Sequence, residues 1–500
     1  MHEEDYEAAK EIPSSAPPAH AAVNGVPEVP SPPNDTTASP TEVPPLIPGL
    51  GNAPFFQRTD WLSFALTTGL VFAVYLFTLA PEVTLEMSGT LSTAAMYGGV
   101  AHPPGFPVWT IYAWFFTKLL PFSNIAWRIG VSSAVAGALT CGVLALMVSR
   151  GGAMLLEGLR DFKRLELKEE KLLRLVAGSV AGMGFGFNGG FWRMAVVVET
   201  IALTNLLFSM VLCLLVRWSY SPERTRYLYW AFLVYGLTFS ANPILIPAAL
   251  GLPFFVMFAE QRLGRELFFA AAILSAAILV ANYLGWLSML SMLAGSANSV
   301  RAIYVWICVL TTAMCLGLIV KTRGFFSKWR PALAAGLLSL VGGLPYFYLP
   351  LASITNPPIN WGYARELGGF IHLITRGQFE ELHPTHGLGR FAEQIWMYGG
   401  VAARQYGLIY LLTALIPFFF LRRMRAQERG LLLGLLAFYL CLFLLVLILL
   451  NPPIDRGGVG LMGLYFVPSY LILAVWTGYG LVLAGTGLTR KLQERMRKSN

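Results

Sequence analysis

Charged residues are scarce in this chain, at 13% of the sequence against 56% hydrophobic residues. With a mean hydropathy of +0.60, this balance excludes an ordinary soluble domain and indicates a membrane protein. Cysteine is also rare, and all five cysteines stand singly inside apolar runs. Disulfides and metal clusters need ligands at close spacing, so we predict neither a disulfide framework nor a metal site, and no cofactor.

The sequence has no long basic stretch of the kind that binds nucleic acid. Its net charge of +9 comes from short Lys and Arg clusters between apolar runs, a pattern typical of cytoplasmic loops. We therefore predict a lipid bilayer as partner, and no nucleic acid. A window of about 20 residues predicts an all-α polytopic membrane protein with about 12 transmembrane helices. They lie near residues 60–80, 126–149, 175–192, 198–216, 227–241, 244–259, 267–286, 302–320, 332–351, 405–421, 430–450 and 461–486.

Residues 1–55 lack a long apolar run and are rich in Pro, Ala, Ser and Thr. Acidic residues are frequent there, and Lys10 is the single basic residue. Such a composition predicts a disordered cytoplasmic tail, and no signal peptide, because a basic start followed by an apolar run is missing. We expect residues 56–487 to form the transmembrane domain and residues 488–500 a basic cytoplasmic tail. Both termini are then cytoplasmic.

Residues 106–120 are apolar but short for a span. Counting them as a crossing moves the later basic clusters to the outside, against the positive-inside rule. We therefore predict an interfacial helix in the first outer loop. Trp109, Tyr112, Trp114 and Lys118 suit the headgroup layer.

Two long segments, 81–125 and 352–404, are predicted on the outer side, where the other connections are short. Loops longer than about 15 residues are commonly functional. All four histidines beyond the tail fall in these segments: His102, His372, His383 and His386. We expect the two segments to meet across one outward-facing cavity that collects the chemically active side chains.

Three stretches, in chain order, resemble one known family. The first outer segment contains Ser88-Gly89, His102-Pro103-Pro104-Gly105 and the closing Asn124-Ile125-Ala126-Trp127-Arg128. A second stretch has Phe191-Trp192, then Glu199, then Leu203-Thr204-Asn205. A third has Leu349-Pro350, Asn356-Pro357-Pro358-Ile359-Asn360-Trp361-Gly362 and Ile374-Thr375-Arg376-Gly377-Gln378. The set resembles the bacterial protein O-mannosyltransferase-like group, known as domain of unknown function 2723, a branch of the GT-C membrane glycosyltransferases.

This resemblance implies a ring of helices with a large first outer loop over a cavity. It implies transfer of a mannose-type hexose from a polyprenyl-phosphate sugar to a protein or cell-envelope acceptor, at the outer face of a bacterial inner membrane. An acidic residue early in the first loop acts as base or positions the acceptor. A carboxylate suits that role because it can take a hydroxyl proton in the transition state, and Arg or His suits the leaving phosphate.

The sequence departs from the family where the chemistry is expected. The family's Asp-Ser-Gly-Glu stands here as Met87-Ser88-Gly89-Thr90, which removes both acids. Glu86 lies one residue earlier, and a one-residue shift turns a side chain by roughly 100° on a helix. Either Glu86 serves with altered geometry, or the reaction has been lost.

Six residues are the candidate site. We predict catalytic roles for Glu86 and Glu199, the latter because an ionisable group at a membrane boundary needs a cavity or a partner. Substrate binding is predicted for His102, Asn360, Trp361 and Arg376. For each of these residues a structural role is the alternative. For the whole chain, the alternative is a transporter or a catalytically inactive membrane scaffold of the same fold.

Overall fold

The computed structural model describes residues 54–85, 87–159, 165–284, 298–375 and 383–499. Within these ranges the elements are helical, with two isolated β-bridges. The predicted all-α class is therefore confirmed for this part of the chain. In order, the α-helices are α1 (Arg58–Phe77), α2 (Ser88–Tyr97), α3 (Pro107–Leu119), α4 (Ile125–Gly158), α5 (Leu167–Gly186), α6 (Gly189–Ala195), α7 (Ile201–Ser219), α8 (Arg226–Ala241), α9 (Ala248–Ala259), α10 (Gln261–Tyr283), α11 (Asn298–Thr322), α12 (Trp329–Gly343), α13 (Tyr348–Ile354), α14 (Leu367–Ile374), α15 (Leu388–Tyr406), α16 (Leu408–Phe419), α17 (Ala426–Leu440), α18 (Val446–Leu450), α19 (Arg456–Tyr465) and α20 (Val467–Ser499).

Eight helices in the described ranges are long and apolar enough to cross a membrane. A ninth span results if α15 and α16, which meet at a bend of 107°, count as one. Helices α5, α8 and α9 also coincide with predicted spans, but α5 begins with charged residues and α9 has 12 residues, a rise of about 18 Å. A multi-pass membrane protein follows, and the count of twelve stays a prediction.

Helix α4 is the central element of the bundle, and most of its residues are buried. Its neighbours approach closely through small residues, as is common between membrane helices. Gly182 on α5 is one such position, since a Cβ there would lie 2.6 Å from the carbonyl oxygen of Cys141. Gly236 on α8 and Gly342 on α12 face each other in the same way. These contacts fix the helices that carry the outer segments.

Three of the basic connections, those that follow α4, α7 and α16, meet at one end of the bundle. Phe55 is 6% exposed, with the guanidinium carbons of Arg150 and Arg217 at 5.0 and 4.3 Å from its ring centroid. The Arg425 amide donates to the carbonyl oxygen of Gly158 at 3.2 Å. This grouping is the one that the positive-inside argument requires, although which membrane side the end faces stays a prediction.

Two boundaries differ from the sequence prediction. Phe55 was expected in the disordered tail, yet it is buried because two guanidiniums pack on its ring. At the other terminus, α20 continues through the predicted tail to Ser499. Gln493 donates to both carboxylate oxygens of Glu169 at 2.9 Å, which ties this extension to α5. The helix formers of the basic segment therefore continue the last helix, and its place on the cytoplasmic side stays a prediction.

A buried ion pair joins α1 to α5 at the same end. Arg174 Nη2 lies 2.6 Å from Asp60 Oδ1, and the two side chains are 3% and 0% exposed. Ser149 Oγ donates to Asp60 Oδ1 at 2.6 Å, and the Gln57 amide donates to Asp60 Oδ2 at 2.8 Å. Burying charges is costly unless they are paired and hydrogen-bonded, and here both conditions are met.

Candidate functional site

Glu199 lies at the opposite end of the bundle, between α6 and α7, and is half-buried. Its carboxylate Oε1 accepts hydrogen bonds from the Thr200 amide at 2.9 Å and from Thr200 Oγ1 at 3.1 Å. Its carbonyl oxygen accepts from Trp109 Nε1 at 3.1 Å and from Ser133 Oγ at 3.3 Å. Helices α3 and α4 therefore hold the backbone of Glu199 while Thr200 orients its carboxylate.

The hydroxyl of Thr200 is itself held from a third helix. Asn242 Nδ2, at the end of α8, donates to Thr200 Oγ1 at 2.8 Å. Asn242 Oδ1 accepts from the Ile244 amide at 3.1 Å, which fixes the side-chain orientation. Asn242, Thr200 and Glu199 thus form a chain of hydrogen bonds that ends on the carboxylate. Such support from a second layer of residues restricts the positions that a reactive group can take.

His102 lies in the loop before α3 and is half-buried. The loop is tightly turned, because the Gly105 amide donates to the His102 carbonyl oxygen at 2.9 Å and Gly105 has a φ of +96°. The His102 ring packs edge-on against Phe106 with centroids 4.9 Å apart. Phe106 then caps α3, and Pro107 occupies its first turn. A short turn and the cap residue Phe106 therefore separate His102 from the start of α3, the helix that carries Trp109.

Asn360 and Trp361 join the first outer segment through the main chain. The Val100 amide donates to the Ile359 carbonyl oxygen at 2.9 Å, and the Trp361 amide donates to the Val100 carbonyl oxygen at 3.2 Å. Gly99 lies against the same segment, where a Cβ would collide with the Ile359 carbonyl oxygen at 2.5 Å. Segments 81–125 and 352–404 are therefore in contact at this bridge, and the outward-facing cavity predicted between them stays a prediction.

Asn360 and Trp361 differ in exposure at this bridge. Asn360 Nδ2 donates to the Ser353 carbonyl oxygen at 3.2 Å. Asn360 Oδ1 is buried and accepts no hydrogen bond from the part of the chain that the structure describes. Trp361 is 42% exposed, so its indole can be reached by a bound molecule. An exposed indole suits a sugar, because the C–H groups of a sugar ring stack on it.

Hydrogen bonds and short chain segments link four of the six predicted site residues: His102, Glu199, Asn360 and Trp361. His102 lies two residues beyond the Val100 bridge that holds Asn360 and Trp361, and α3 then links the same loop to Glu199 through Trp109. Glu86 and Arg376 lie outside the described residues, so their predicted roles stay predictions.

The observed position of Trp109 differs from the one predicted from the sequence. We expected it in the headgroup layer, yet it is 1% exposed because its indole fills the space between α3 and the Glu199 backbone. Tyr112 is also drawn inward and donates to the Ser132 carbonyl oxygen at 2.9 Å. Burial raises the pKa of the Tyr112 hydroxyl well above its ordinary value, so it remains a donor. Trp114 is 41% exposed, with Lys118 Nζ 5.8 Å from its ring centroid, as an interfacial position requires.

The closing motif of the first outer segment has a structural role. Asn124 Oδ1 accepts from the Trp127 amide at 2.8 Å and caps α4, while Asn124 Nδ2 donates to the Pro81 carbonyl oxygen at 2.7 Å. Arg128 donates to the carbonyl oxygens of Phe122, Ser123 and Thr117. These bonds join the two ends of the outer segment, so α3 begins and ends at the same end of the bundle. That is the course predicted for a helix that does not cross.

Met87 occupies the N-cap position of α2 and is half-buried against the apolar core. Its side chain offers no acceptor to the free amides of the first turn, which an Asp at this position supplies. Ser88 Oγ instead donates to the Thr84 carbonyl oxygen at 2.5 Å. Position 87 therefore provides an apolar contact, where the resemblance drawn from the sequence motifs led us to expect an acid.

Sequence reasoning missed Trp109, Ser133, Thr200 and Asn242 as the supports of Glu199. Asn242 carried a signal, because an Asn directly before a Pro is a frequent helix-start residue. The other three lie in or beside apolar runs, where nothing in the sequence marks them. Trp109 and Ser133 contact Glu199 from helices far away in the chain.

The family described as the Protein O-mannosyl-transferase TMEM260 N-terminal domain matches residues 88–266 of this chain. Protein O-mannosyl-transferase TMEM260 of Mus musculus is 29% identical over 179 residues, or 34% of this chain and 22% of the relative. Protein O-mannosyl-transferase tmem260 of Dictyostelium discoideum is 32% identical over 77 residues, or 15% and 9%. The chain thus spans less than a quarter of the length of these curated relatives.

The matched part is O-mannosyltransferase-like, in agreement with the resemblance drawn from the motifs. It includes the described residues His102 and Glu199 with all four supports of Glu199. Asn360, Trp361 and Arg376 lie beyond it. Membership of the bacterial group stays a prediction.

Proposed function

We propose that this chain is a membrane glycosyltransferase with a GT-C-like fold. It transfers a mannose-type hexose from a polyprenyl-phosphate donor to a protein or envelope acceptor on the outer face of a bacterial inner membrane. The observation that carries the proposal is the match of residues 88–266 to the O-mannosyl-transferase domain, with Glu199 held inside it by hydrogen bonds from α3, α4 and Thr200.

In the proposed reaction, an acceptor hydroxyl oxygen forms a bond to C1 of the sugar. The bond between C1 and the donor's phosphate oxygen breaks, and polyprenyl phosphate leaves with the electron pair. A carboxylate takes the hydroxyl proton. We assign this role to Glu199, because hydrogen bonds fix its backbone and its Oε1, and Glu86 is the second candidate, one residue before the expected family acid. A base of this kind commonly contributes 10²–10⁴-fold to the rate.

The remaining candidates bind the substrates. His102 or Arg376 steadies the donor phosphate, for which a guanidinium offers two parallel donors. Asn360 and Trp361 belong to the sugar side of the site, where Trp361 stacks on the sugar ring through its exposed indole. The bridge at Val100 keeps the phosphate and sugar contacts at a fixed separation, as an ordered transfer requires.

The test is transfer by the purified full-length protein. The protein is incubated with polyprenyl-phosphate sugars and an envelope extract, and acceptors are identified by mass spectrometry. Glu199→Gln is expected to lower the rate by 10²–10⁴-fold at unchanged expression, because an amide takes no proton. Glu366→Gln is the matched control, since Glu366 is exposed and its side chain caps no helix amide. Equal rates for Glu199→Gln and the control would exclude Glu199 as the base.

Glu86→Gln is measured in the same assay as Glu199→Gln. If Glu86→Gln abolishes transfer while Glu199→Gln stays active, the base lies in the first outer segment. A wild type that transfers no sugar from any donor contradicts the proposal.

An inactive scaffold is favoured by one observation, the apolar contact of Met87 where the family acid is expected. Transport has less support, because the buried ion pairs lie near helix ends, with Asp60 in the first turn of α1 and Glu266 early in α10. Charged groups near the middle of spans would favour transport.

A further inference from the structure

An open groove of about 410 Å³ lies between α15 and the start of α19, in a part of the chain beyond the matched domain. Its walls combine charged and apolar side chains from two segments of the chain. The lining residues are Met397, Arg404, Ile454, Asp455, Arg456 and Val459. The two arginines come from different segments, so only the fold brings their charges to one place.

The bend between α15 and α16 locates this groove relative to a bilayer. The two helices meet at 107° around Gly407, whose φ is +78°. The exposed side chains of α16 are all apolar, as expected of a helix among lipid chains: Leu408, Ile409, Leu412, Leu415 and Phe419. A helix turned by about a right angle from such a segment runs close to the membrane plane. Trp396 on α15 is 85% exposed, a residue that favours the interface.

The charges of the groove favour an anion. Within the described ranges, neither Arg404 nor Arg456 forms an ion pair, and both are exposed. Asp455 Oδ1 accepts from the Gly458 amide at 2.9 Å as the N-cap of α19, so part of its charge is already compensated. Two guanidiniums against one capping carboxylate leave a net positive site. Guanidiniums bind phosphate oxygens in a bidentate fork.

We propose that this groove binds the phosphate headgroup of an acidic membrane phospholipid. Arg404 and Arg456 hold the phosphate from two sides, while Met397, Ile454 and Val459 contact the start of the acyl chains. Basic pockets beside membrane helices bind anionic lipids by the same chemistry. The site does not depend on sugar transfer, so it stands or fails independently of the proposed function.

The experiment titrates the detergent-purified full-length protein with dioleoyl phosphatidylglycerol and counts bound lipids by native mass spectrometry. Dioleoyl phosphatidylcholine is the neutral lipid, and inorganic phosphate alone is a third arm. The wild type is expected to bind phosphatidylglycerol in preference to phosphatidylcholine. The double variant Arg404→Gln with Arg456→Gln should bind it at least about tenfold more weakly, because both charged contacts are lost.

Two variants sharpen the result. Asp455→Asn removes a negative charge while an Asn still caps the helix, so phosphatidylglycerol binding should strengthen several-fold. Arg365→Gln is the matched control, because Arg365 is an exposed arginine outside the groove, and binding should be unchanged.

Equal binding of the two lipids, or wild-type binding by the double variant, overturns the proposal. So does weaker binding by Asp455→Asn at an unchanged melting temperature. Arginine-dependent binding of inorganic phosphate with no preference for the lipid assigns the groove to free phosphate instead.

Discussion

The hydroxyl of Thr200 donates to the Glu199 carboxylate and accepts from Asn242. Removing this hydroxyl tests whether the hydrogen-bonded chain positions the carboxylate. Thr200→Val keeps the side-chain shape but deletes the 3.1 Å bond to Glu199 Oε1 and the acceptor for Asn242 Nδ2. A buried donor left unsatisfied costs about 1–3 kcal/mol, and the lower part applies because Asn242 is half-buried. Loss of the hydrogen bond from Thr200 to the half-buried Glu199 carboxylate adds about 1 kcal/mol to this cost, because water replaces part of the bond. We expect a loss of about 2 kcal/mol in the free energy of unfolding.

The effect on transfer is expected to be smaller than loss of the carboxylate. The Thr200 amide still donates to Glu199 Oε1 at 2.9 Å, so the carboxylate keeps one of its two bonds. A fall of about tenfold in kcat corresponds to about 1.4 kcal/mol in the barrier, with KM unchanged. Steady-state kinetics with a lipid-linked sugar and denaturant unfolding measure the two effects.

Three controls make the result interpretable. Thr200→Ser keeps the hydroxyl and should restore kcat. Thr204→Val makes the same substitution one turn later on α7, at a buried Thr whose hydroxyl donates to the Thr200 carbonyl oxygen and contacts no carboxylate. The double variant Thr200→Val with Asn242→Ala should lose about 1 kcal/mol less than the sum of the single changes. Strict additivity, or a Thr204→Val variant that loses as much kcat, refutes the hydrogen-bonded chain as the positioning device.

Three further predictions concern other parts of the structure. Met87→Asp should change stability by no more than about 1 kcal/mol, because the helix cap it supplies offsets the loss of a half-buried apolar contact; if Met87 has suppressed the reaction, the transfer assay should show a gain. Asn124→Ala should cost about 1–2 kcal/mol in thermal unfolding, since it removes the cap of α4 and the contact with Pro81. Arg174→Met should cost about 3–5 kcal/mol, because Asp60 is left charged and fully buried.

Each of these three stability predictions can be contradicted by a specific result. A Met87→Asp protein that fails to fold would mean that the side chain at position 87 is packed too tightly for a cap. An Asn124→Ala protein with unchanged stability would remove the argument for a structural closing motif. For the ion pair, the combined change Asp60→Leu with Arg174→Met should lose less than Arg174→Met alone, and a larger loss would refute the desolvation argument.

The fold was largely predictable because long apolar runs and basic clusters act over whole helices. The course of α3 followed from the charge distribution, and its hydrogen bonds with Arg128 and Glu199 at one end of the bundle agree with that course. The burial of Trp109 was not predictable, because a tryptophan on a short apolar helix suits both a headgroup layer and a core contact. Only the position of a distant carbonyl oxygen decides between them.

The candidate site was predictable in part. The sequence marked Glu199 and His102 as candidates because they are an acid and an imidazole in polar positions between apolar runs, and their roles stay predictions. Their supports were not, since a hydrogen bond such as that from Asn242 to Thr200 joins helices through side chains that look ordinary in a single sequence. Phe55 was assigned to the tail for a similar reason, because composition averages over a segment and misses one ring held by two guanidiniums.

The bridge between Val100 and the Asn360 region is made by main-chain atoms alone. Every residue except proline carries the amide and carbonyl that it uses, so the contact survives most side-chain changes on both segments. Side chains on both segments can therefore change without loosening the contact that joins the segments. Gly99 is the exception, since any larger residue there pushes the two segments apart. A main-chain contact of this kind keeps the spacing of the two segments constant while their side chains diverge.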